Sequence, residues 1–378
     1  MRAIVCGTRF GQVYLQAFRQ PGNPVELAGV FAGGSPRSRA VARHYGVPLF
    51  TRIDDIPGDV DIACVVIRGG LLGGQGTDLA LSLMERGLHV LQEHPLHRDE
   101  LAACVRQARR YGVVHRLNSF YVHVEPVRRF IAAARQLLRT QQVRYVDAAC
   151  GFQLAYSLLD ILGHALGGLR PWGFVQPADG AEVFGLTRLD VPFRSLDGVL
   201  AGVPITLRVQ NQMDPEDPDN YAHLMHRITI GVEGGNLSLL TSHGPTIWSA
   251  RPDFPRTVGA DNAASHFASG AGGDAHLDLP SSLTLGPAEA PGFRAAFEDV
   301  WPAGVARALT ELVDAVEAGR SGSAHEQSHL ALCELWQDIT KVLGPPELVR
   351  ADDPSFLLAD DLDALRSARP DATPAGRR

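Results

Sequence analysis

Residues 3–18, AIVCGTRFGQVYLQAF, decide how the rest of the chain is read. The apolar run Ala3 to Cys6 is the kind a strand shows when both of its faces are covered. GTRFG (7–11) turns the chain, and GQVYLQAF has helical spacing. Strand, glycine turn and helix make the first half of a parallel crossover unit. The rhythm repeats, with ELAGVFA, DIACVVI, HVLQE and VVHRLNSF alternating with SRAVARHYG, GTDLALSLMERG and RDELAACVRQARRYG. Residues 1–121 are therefore expected to form an α/β Rossmann domain, a doubly wound parallel sheet with helices on both faces.

The pattern changes from Val124 onward. EPVRRFIAAARQLLR reads as a helix, followed by a strand near Val143–Cys150 and the helix LLDILGHAL. Strand-like stretches at Glu182–Leu189, Pro204–Gln212, His226–Val232 and Leu237–Leu240 follow with Gly and Pro between them, and GVEGGNLSL reads as a hairpin. Successive strands without helices between them predict an α+β domain over 122–345, with a largely antiparallel open sheet. Loops DPEDPDN (214–220) and ASGAGGDA (268–275) are expected to be mobile. Two helices, near Gly292–Ala318 and Ala324–Leu343, precede a Pro- and Asp-rich tail (346–378) expected to be poorly ordered.

The 378 residues carry a net charge of −7, which provides no global attraction for nucleic acid or an anionic membrane. Neither is an expected partner. Cys6, Cys64, Cys104, Cys150 and Cys333 are far apart and odd in number, as in a reduced cytoplasmic protein. MRAIVCG opens directly into a strand without a signal segment, and no apolar run approaches 18 residues. Lys341 is the only lysine, so the positive charge is otherwise arginine.

Gly7, Thr8, Arg9, Phe10 and Gly11 occupy the turn where a dinucleotide pyrophosphate is bound, because glycine there lets the backbone approach the phosphates. Arg9 stands where a second glycine is usual, and the spacing is shortened. The strand VELAGVFA then ends in GGSPRSR without a carboxylate. An acid at that point would hold the ribose hydroxyl of NAD, whereas Ser35, Arg37, Ser38 and Arg39 suit a 2′-phosphate. NADPH is the expected cofactor.

LQEHPL (91–96) stands where the strand HVLQE gives way to a helix, at the sheet edge that carries chemistry in such folds. With its Rossmann domain and α+β second domain, the chain resembles the oxidoreductase family of glucose-fructose oxidoreductase and inositol dehydrogenase. In that family a Glu-x-Pro motif holds a lysine, and many members carry DxxxH in the second domain. Here His94 takes the lysine's place, so sugar or polyol oxidation stands only as an alternative reading, beside that of a noncatalytic NADP-binding assembly partner. VLQEHPLH (90–97), NSFYVH (118–123), VQNQMDPEDPDNYAHLMHRITIGVEGG (209–235) and SHGPTIW (242–248) resemble the thiazolinyl imine reductases of siderophore assembly. That resemblance implies reduction of a thiazoline ring to a thiazolidine on a substrate held by the carrier protein of a nonribosomal peptide synthetase. It also implies proton donors at Tyr121 and His94: Tyr121 as general acid, with His94 orienting it, sharing its proton or donating directly. Glu93 and Pro95 would shape the turn under the nicotinamide, with a cis His94–Pro95 bond.

Asp160 and His164 fit the broad family's DxxxH and share one helix face, as a core pair or as pocket residues. His223, His226 and His243 belong to the narrower match and are candidates for the substrate pocket. His94 with His97, and His325 with His329, have metal-like spacing but no evident further ligands, so no metal is expected. Arg128, Arg129, Arg135 and Arg139 lie on one helix and could receive an acidic carrier. A homodimer through the uncovered sheet face is expected from such relatives.

Overall fold

A computed structural model of the chain describes residues 1–67, 74–177, 185–217, 220–252, 278–319, 323–350 and 354–368. Strands β1 (Arg2–Cys6), β2 (Glu26–Phe31), β3 (Leu49–Phe50), β4 (Ile62–Val65), β5 (His89–Glu93) and β6 (His115–Asn118) form one parallel sheet in the order 3-2-1-4-5-6. Between them lie α1 (Gly11–Ala17), α2 (Pro36–Tyr45), α3 (Gln75–Glu85) and α4 (Arg98–Tyr111). Helices cover both faces, which is why β1 and β4 are continuously apolar and buried. Strand order reverses between β1 and β4, and that reversal opens the crevice in which such sheets bind ligands.

Helix α5 (Glu125–Leu137) leads into an eight-stranded sheet. Its strands are β7 (Val143–Gly151), β8 (Trp172–Val175), β9 (Phe193–Leu200), β10 (Val203–Gln210), β12 (His226–Val232), β13 (Gly235–Leu239), β14 (Thr246–Ala250) and β15 (Ser282–Leu285). They run in the order 15-14-13-12-7-10-9-8, antiparallel except for β7 beside β10. Ala148, Cys150, Ile205, Leu207, Ile228 and Ile230 on one face join the core with residues of α5 and of α6 (Ala155–Leu166). On the other face Asp147, Thr206, Arg208 and Arg227 are exposed, as are Tyr145 and Val199. The helices Trp301–Glu317 and Ser323–Leu343 return to the first sheet, packing on α1 and on α4 respectively.

The architecture is the one expected, a Rossmann sheet followed by a mostly antiparallel domain, but several elements differ from the sequence reading. β3 has two residues and so shows no periodicity. Of the strand expected at Glu182–Leu189, residues 182–184 lie outside the described part, and 185–189 form turns and exposed coil. The hairpin of β9 and β10 takes its place, turning through Ala201 and Gly202 with φ of 55° and 78°. Loop 268–275 lies outside the described residues, as do 218 and 219 of the loop at 214–220. The tail is not featureless: Glu347–Leu348 pairs in parallel with β11 (Gln212–Met213), and Ala359–Ser367 is a helix with all its side chains exposed. Among the described residues no helix is long and apolar enough to cross a membrane.

Two buried histidines link this packing to pH. His115 on β6 sits with Nε2 2.9 Å from Gln92 Oε1, and burial lowers its pKa to about 3. Burial likewise lowers that of His329 to about 4. An unfolded imidazole titrates near 6.5, so below that pH the unfolded chain binds more protons than the folded one. The stability contributed by the neutral rings is complete above about pH 6.5 and is lost as the pH falls towards 4. The slope is about 1.4 kcal/mol per pH unit for each proton. Denaturant unfolding at stepped pH should show this decline, and His115→Gln should reduce the slope by about one proton. Parallel slopes in the two proteins would exclude His115 as a contributor.

Candidate active site

The cofactor end of the site is built on Gly7. Its φ is +106°, and a Cβ there would lie 2.4 Å from the Val66 carbonyl oxygen, so β1 and the strand end after β4 can approach only with glycine at this point. The Gly7 amide donates to Phe31 O (3.0 Å), and a Cβ on Gly11 would already press Val5 at 3.3 Å. Beside this turn lies a cleft of about 400 Å³ lined by Gly7, Thr8, Phe31, Ala32, Gly33, Ser35, Ile67, Gln75 and Leu79. Small and apolar groups, the hydroxyls of Thr8 and Ser35, the Gln75 amide and no carboxylate line it, which fits the adenosine half of a dinucleotide.

The expected cofactor residues divide here. Ser35 lines the cleft and caps α2, its Oγ accepting from Ser38 N at 3.2 Å. Arg37 is exposed and donates from Nε to Thr8 O (3.2 Å), which lays its guanidinium against the glycine turn. Arg9 and Arg39 are exposed. Ser38 does not face the cleft: it is buried, with its hydroxyl donating to Ser35 O at 2.9 Å. Phe10 packs its ring edge-on against Phe120 (5.3 Å) and tilted on Trp301 (6.0 Å).

β5 and β6 end side by side, with Glu93 opposite Asn118. The His94–Pro95 bond is cis. The backbone N–H of His94 donates to Asn118 O (3.1 Å), and its ring Nδ1 lies 3.1 Å from the same oxygen and 2.8 Å from Glu93 Oε1. Both neighbours of Nδ1 accept, so Nδ1 must carry hydrogen, and the neutral ring presents Nε2 as a lone pair. Asn118 is buried. Its Nδ2 donates to Tyr14 Oη (2.6 Å) and its Oδ1 accepts from Phe120 N (3.0 Å). Tyr14 donates in turn to Glu93 Oε2. Burial and the Glu93 charge raise the Tyr14 pKa well above the usual phenol value, so it remains a donor.

Tyr121 follows a strained turn. Phe120 has φ 65° and ψ −64°, and Tyr121 N donates to Ser119 O at 2.8 Å, a γ-turn of the rare positive-φ kind. Such a conformation costs about 1–3 kcal/mol and persists only where its surroundings determine it. Here those are the Asn118 side chain, the fully buried Phe120 ring and the Ser119 hydroxyl, which donates to Asp160. The Tyr121 ring is 6% exposed and packs edge-on against His226 at 4.6 Å. Burial lowers the His226 pKa to about 3, the neighbouring His94 adding a smaller lowering effect; Ser157 Oγ at 2.9 Å and Ser242 Oγ at 2.8 Å hold its two nitrogens. His243 is buried and accepts at Nε2 from Trp301 Nε1–H (2.9 Å), and burial lowers its pKa too. Both rings are therefore neutral at physiological pH.

The structure does not bring every expected pocket residue to this centre. Asp160 is buried beneath the γ-turn, and His164, with 43% of its side chain exposed, places Nε2 3.6 Å from Asp160 Oδ1, as the DxxxH spacing predicts, and Nδ1 3.2 Å from Arg135 Nη2. His223 is exposed, with its ring against Tyr221 at 5.9 Å. His97 accepts at Nδ1 from Gln337 Nε2 (3.1 Å), and His329 sits with Nδ1 3.3 Å from Tyr156 Oη. Among the described residues no group of three His, Cys, Asp or Glu side chains is arranged to hold a metal. The sequence reading missed Asn118, Tyr14, Trp301 and Tyr156. Tyr156 stacks on the His94 ring at 5.3 Å and 24°. The asparagine was visible in NSFYVH, directly before the tyrosine, but no spacing rule marks it as a hub.

A glycine turn at the strand-order reversal, a cleft that fits the adenosine half of a dinucleotide and titratable groups at the same sheet edge define a dinucleotide-dependent oxidoreductase. Residues 1–119 match the oxidoreductase family with an NAD-binding Rossmann fold, and residues 141–249 match the C-terminal domain of the thiazolinyl imine reductase Irp3-like family. Over residues 1–119 the chain thus carries the Rossmann domain of an NAD(P)-dependent oxidoreductase. No curated protein sequence matches it. Among solved structures, UDP-N-acetylglucosamine 3-dehydrogenase GnnA from Acidithiobacillus ferrooxidans is 17% identical with a TM-score of 0.60, over 91% of this chain and 98% of that one. GenD2 from gentamicin A biosynthesis, in complex with NAD, is 16% identical with a TM-score of 0.61, over 90% and 93% of the two chains. Levoglucosan dehydrogenase, in complex with NADH and levoglucosan, is 12% identical with a TM-score of 0.61, over 90% and 96%. At these identities the likeness is one of fold.

Asn118→Ala should cost about 2–4 kcal/mol in denaturant unfolding, because the Phe120 amide and the Tyr14 hydroxyl each lose a buried partner. A loss below about 1 kcal/mol would show that the node is not what holds the turn.

Proposed function

We propose that the protein reduces the C=N bond of a thiazoline ring to a thiazolidine, using NADPH, on an intermediate tethered to a carrier protein of a nonribosomal peptide synthetase. The observation that carries this reading is the match of residues 141–249, most of the substrate domain's sheet, to the thiazolinyl imine reductase C-terminal domain. The site is consistent with it. His94 stands where the wider family, by resemblance, uses a lysine, and its ring is fixed at Nδ1 by Glu93 and Asn118.

Bound in the cleft, the dinucleotide supplies a hydride. The remaining work falls to this chain's residues. Reducing C=N requires a proton at nitrogen as the hydride reaches carbon, and a phenol, with ordinary pKa about 10, holds that proton at neutral pH. Tyr121 gives its hydroxyl proton to the ring nitrogen, and its phenolate is reprotonated through His94. The imidazolium form of His94 has a carboxylate ready at Nδ1, as in other histidine–carboxylate pairs. Neutral His226 against the Tyr121 ring brings no competing positive charge.

NADPH is preferred over NADH because Ser35 and Arg37 border the ribose end of the cleft where NAD enzymes place an acid. Arg37→Ala should weaken NADPH binding about tenfold or more and leave NADH binding nearly unchanged. Equal weakening of both would remove the 2′-phosphate contact.

Tyr121→Phe should lower turnover by about 10²-fold or more with a soluble thiazoline ester while sparing NADPH binding. Turnover near that of the wild type would remove Tyr121 from the acid's role. If the wild type consumes NADPH with a keto-sugar or lactone and not with a thiazoline, the reading as an imine reductase is lost. If it binds NADPH and turns over neither, the protein is a binding partner rather than an enzyme.

A further inference from the structure

A file of aromatic rings runs from the surface to the proposed acid. Phe293 is 66% exposed and Phe297 45% exposed, whereas Tyr121 at the inner end is 6% exposed. Phe293 and Phe297 lie 5.7 Å apart, Phe297 and Trp301 4.6 Å, and Trp301 and Tyr121 6.2 Å. His243 flanks the file, with its ring 5.7 Å from Phe293 and stacked on Trp301 at 5.9 Å. Phe297 stands in the π-helical segment Ala296–Val300 that leads into Trp301–Glu317. π-helical turns inside α-helices are rare and are frequently found at functional sites.

We propose that this file is the subsite for the flexible arm that tethers the substrate to its carrier, and this proposal rests on the function proposed above. A thioester-bound ring must reach Tyr121 on a thin chain of amide and methyl(ene) groups, with the carrier remaining outside. Ring faces suit such a chain, since they pack against methyl and methylene groups and accept weak contacts from amide N–H without fixing one register. A single file of rings also fits a chain better than it fits a broad protein surface. Arg294 and Glu298, the sequence neighbours of the two phenylalanines, pair with each other at 3.5 Å, and the rungs themselves are uncharged. The arginine face of α5 is a weaker candidate to receive the substrate. Arg129 there is bound to Glu125, and Arg135 donates to His164 O at 2.7 Å.

The test compares a carrier-bound thiazoline with a soluble thiazoline ester in the wild type, Phe297→Ala and Phe293→Ala. KM for the carrier-bound substrate should rise about tenfold, the effect of losing one aromatic contact, with little change for the soluble ester or in NADPH binding. Phe297→Trp should restore the wild-type value, and Phe297→Leu serves if the alanine variant does not fold. The same rise for both substrates would make the rings a wall of the ring pocket, and no rise for either would leave them without a role; both results overturn the proposal. A wild-type protein that reduces neither thiazoline would instead sink the imine-reductase reading, and the arm subsite with it.

Discussion

Asn118 is the constraint on which the rest of the site depends. Its carbonyl oxygen receives both the backbone N–H and the ring Nδ1–H of His94, its Oδ1 receives the Phe120 amide, and its Nδ2 donates to Tyr14. One buried residue at the end of β6 thus fixes the end of β5, the turn that carries Tyr121 and the helix after the glycine turn. Parallel strands end on the same sheet edge, so neighbouring strands can share an acceptor in this way. Four polar contacts in a dry environment are favourable only as a complete set, because any one left unmade costs the desolvation of its partner.

Completeness of that set is what makes the γ-turn affordable. A positive φ at a bulky residue stands against local preference, and about 1–3 kcal/mol has to be offset by contacts elsewhere. The offset comes from three directions: Asn118 from the sheet, Asp160 from α6 in the second domain, and the ring packing of Phe10 and Trp301 against Phe120. Phe10 belongs to the glycine turn and Trp301 to a C-terminal helix. The conformation before Tyr121 therefore reports on the docking of three parts of the chain that are distant in sequence. Asp160 has a clear task in this account without touching a substrate.

The sheet of the first domain was legible because a strand covered on both faces must be apolar throughout, and AIVC and IACV are. Short or half-exposed elements were not. β3 is too brief to show a period, and β9, FRSLDGVL, carries Gly198 and Asp197 in what becomes a paired strand, so its composition resembles that of a loop. Glycine there has a tertiary reason: a Cβ on Gly198 would lie 2.3 Å from the Gly173 carbonyl oxygen. At the site, residue type and strand position marked Tyr121 and His94, because their chemistry is unusual at a strand end. They did not separate Ser35 from Ser38, which sit three residues apart on one helix turn with opposite burial. DxxxH spacing did place His164 Nε2 3.6 Å from Asp160 Oδ1, but it did not show that Arg135 would take the other ring nitrogen. Spacing fixes a helix face, whereas a partner on another element decides which way a long side chain points.

Electrostatics gives the arrangement its direction. His226 and His243 are both pushed towards the neutral form by burial, so the interior beside the phenol carries little positive charge at physiological pH. His94 differs in having the Glu93 carboxylate 2.8 Å from Nδ1, with Tyr14 holding the far oxygen of that carboxylate. The carboxylate is oriented by Tyr14, and Tyr14 is oriented by Asn118. The charge beside His94 thus rests on the node that also shapes the Tyr121 turn, and for that reason geometry and charge cannot be altered separately at this strand end.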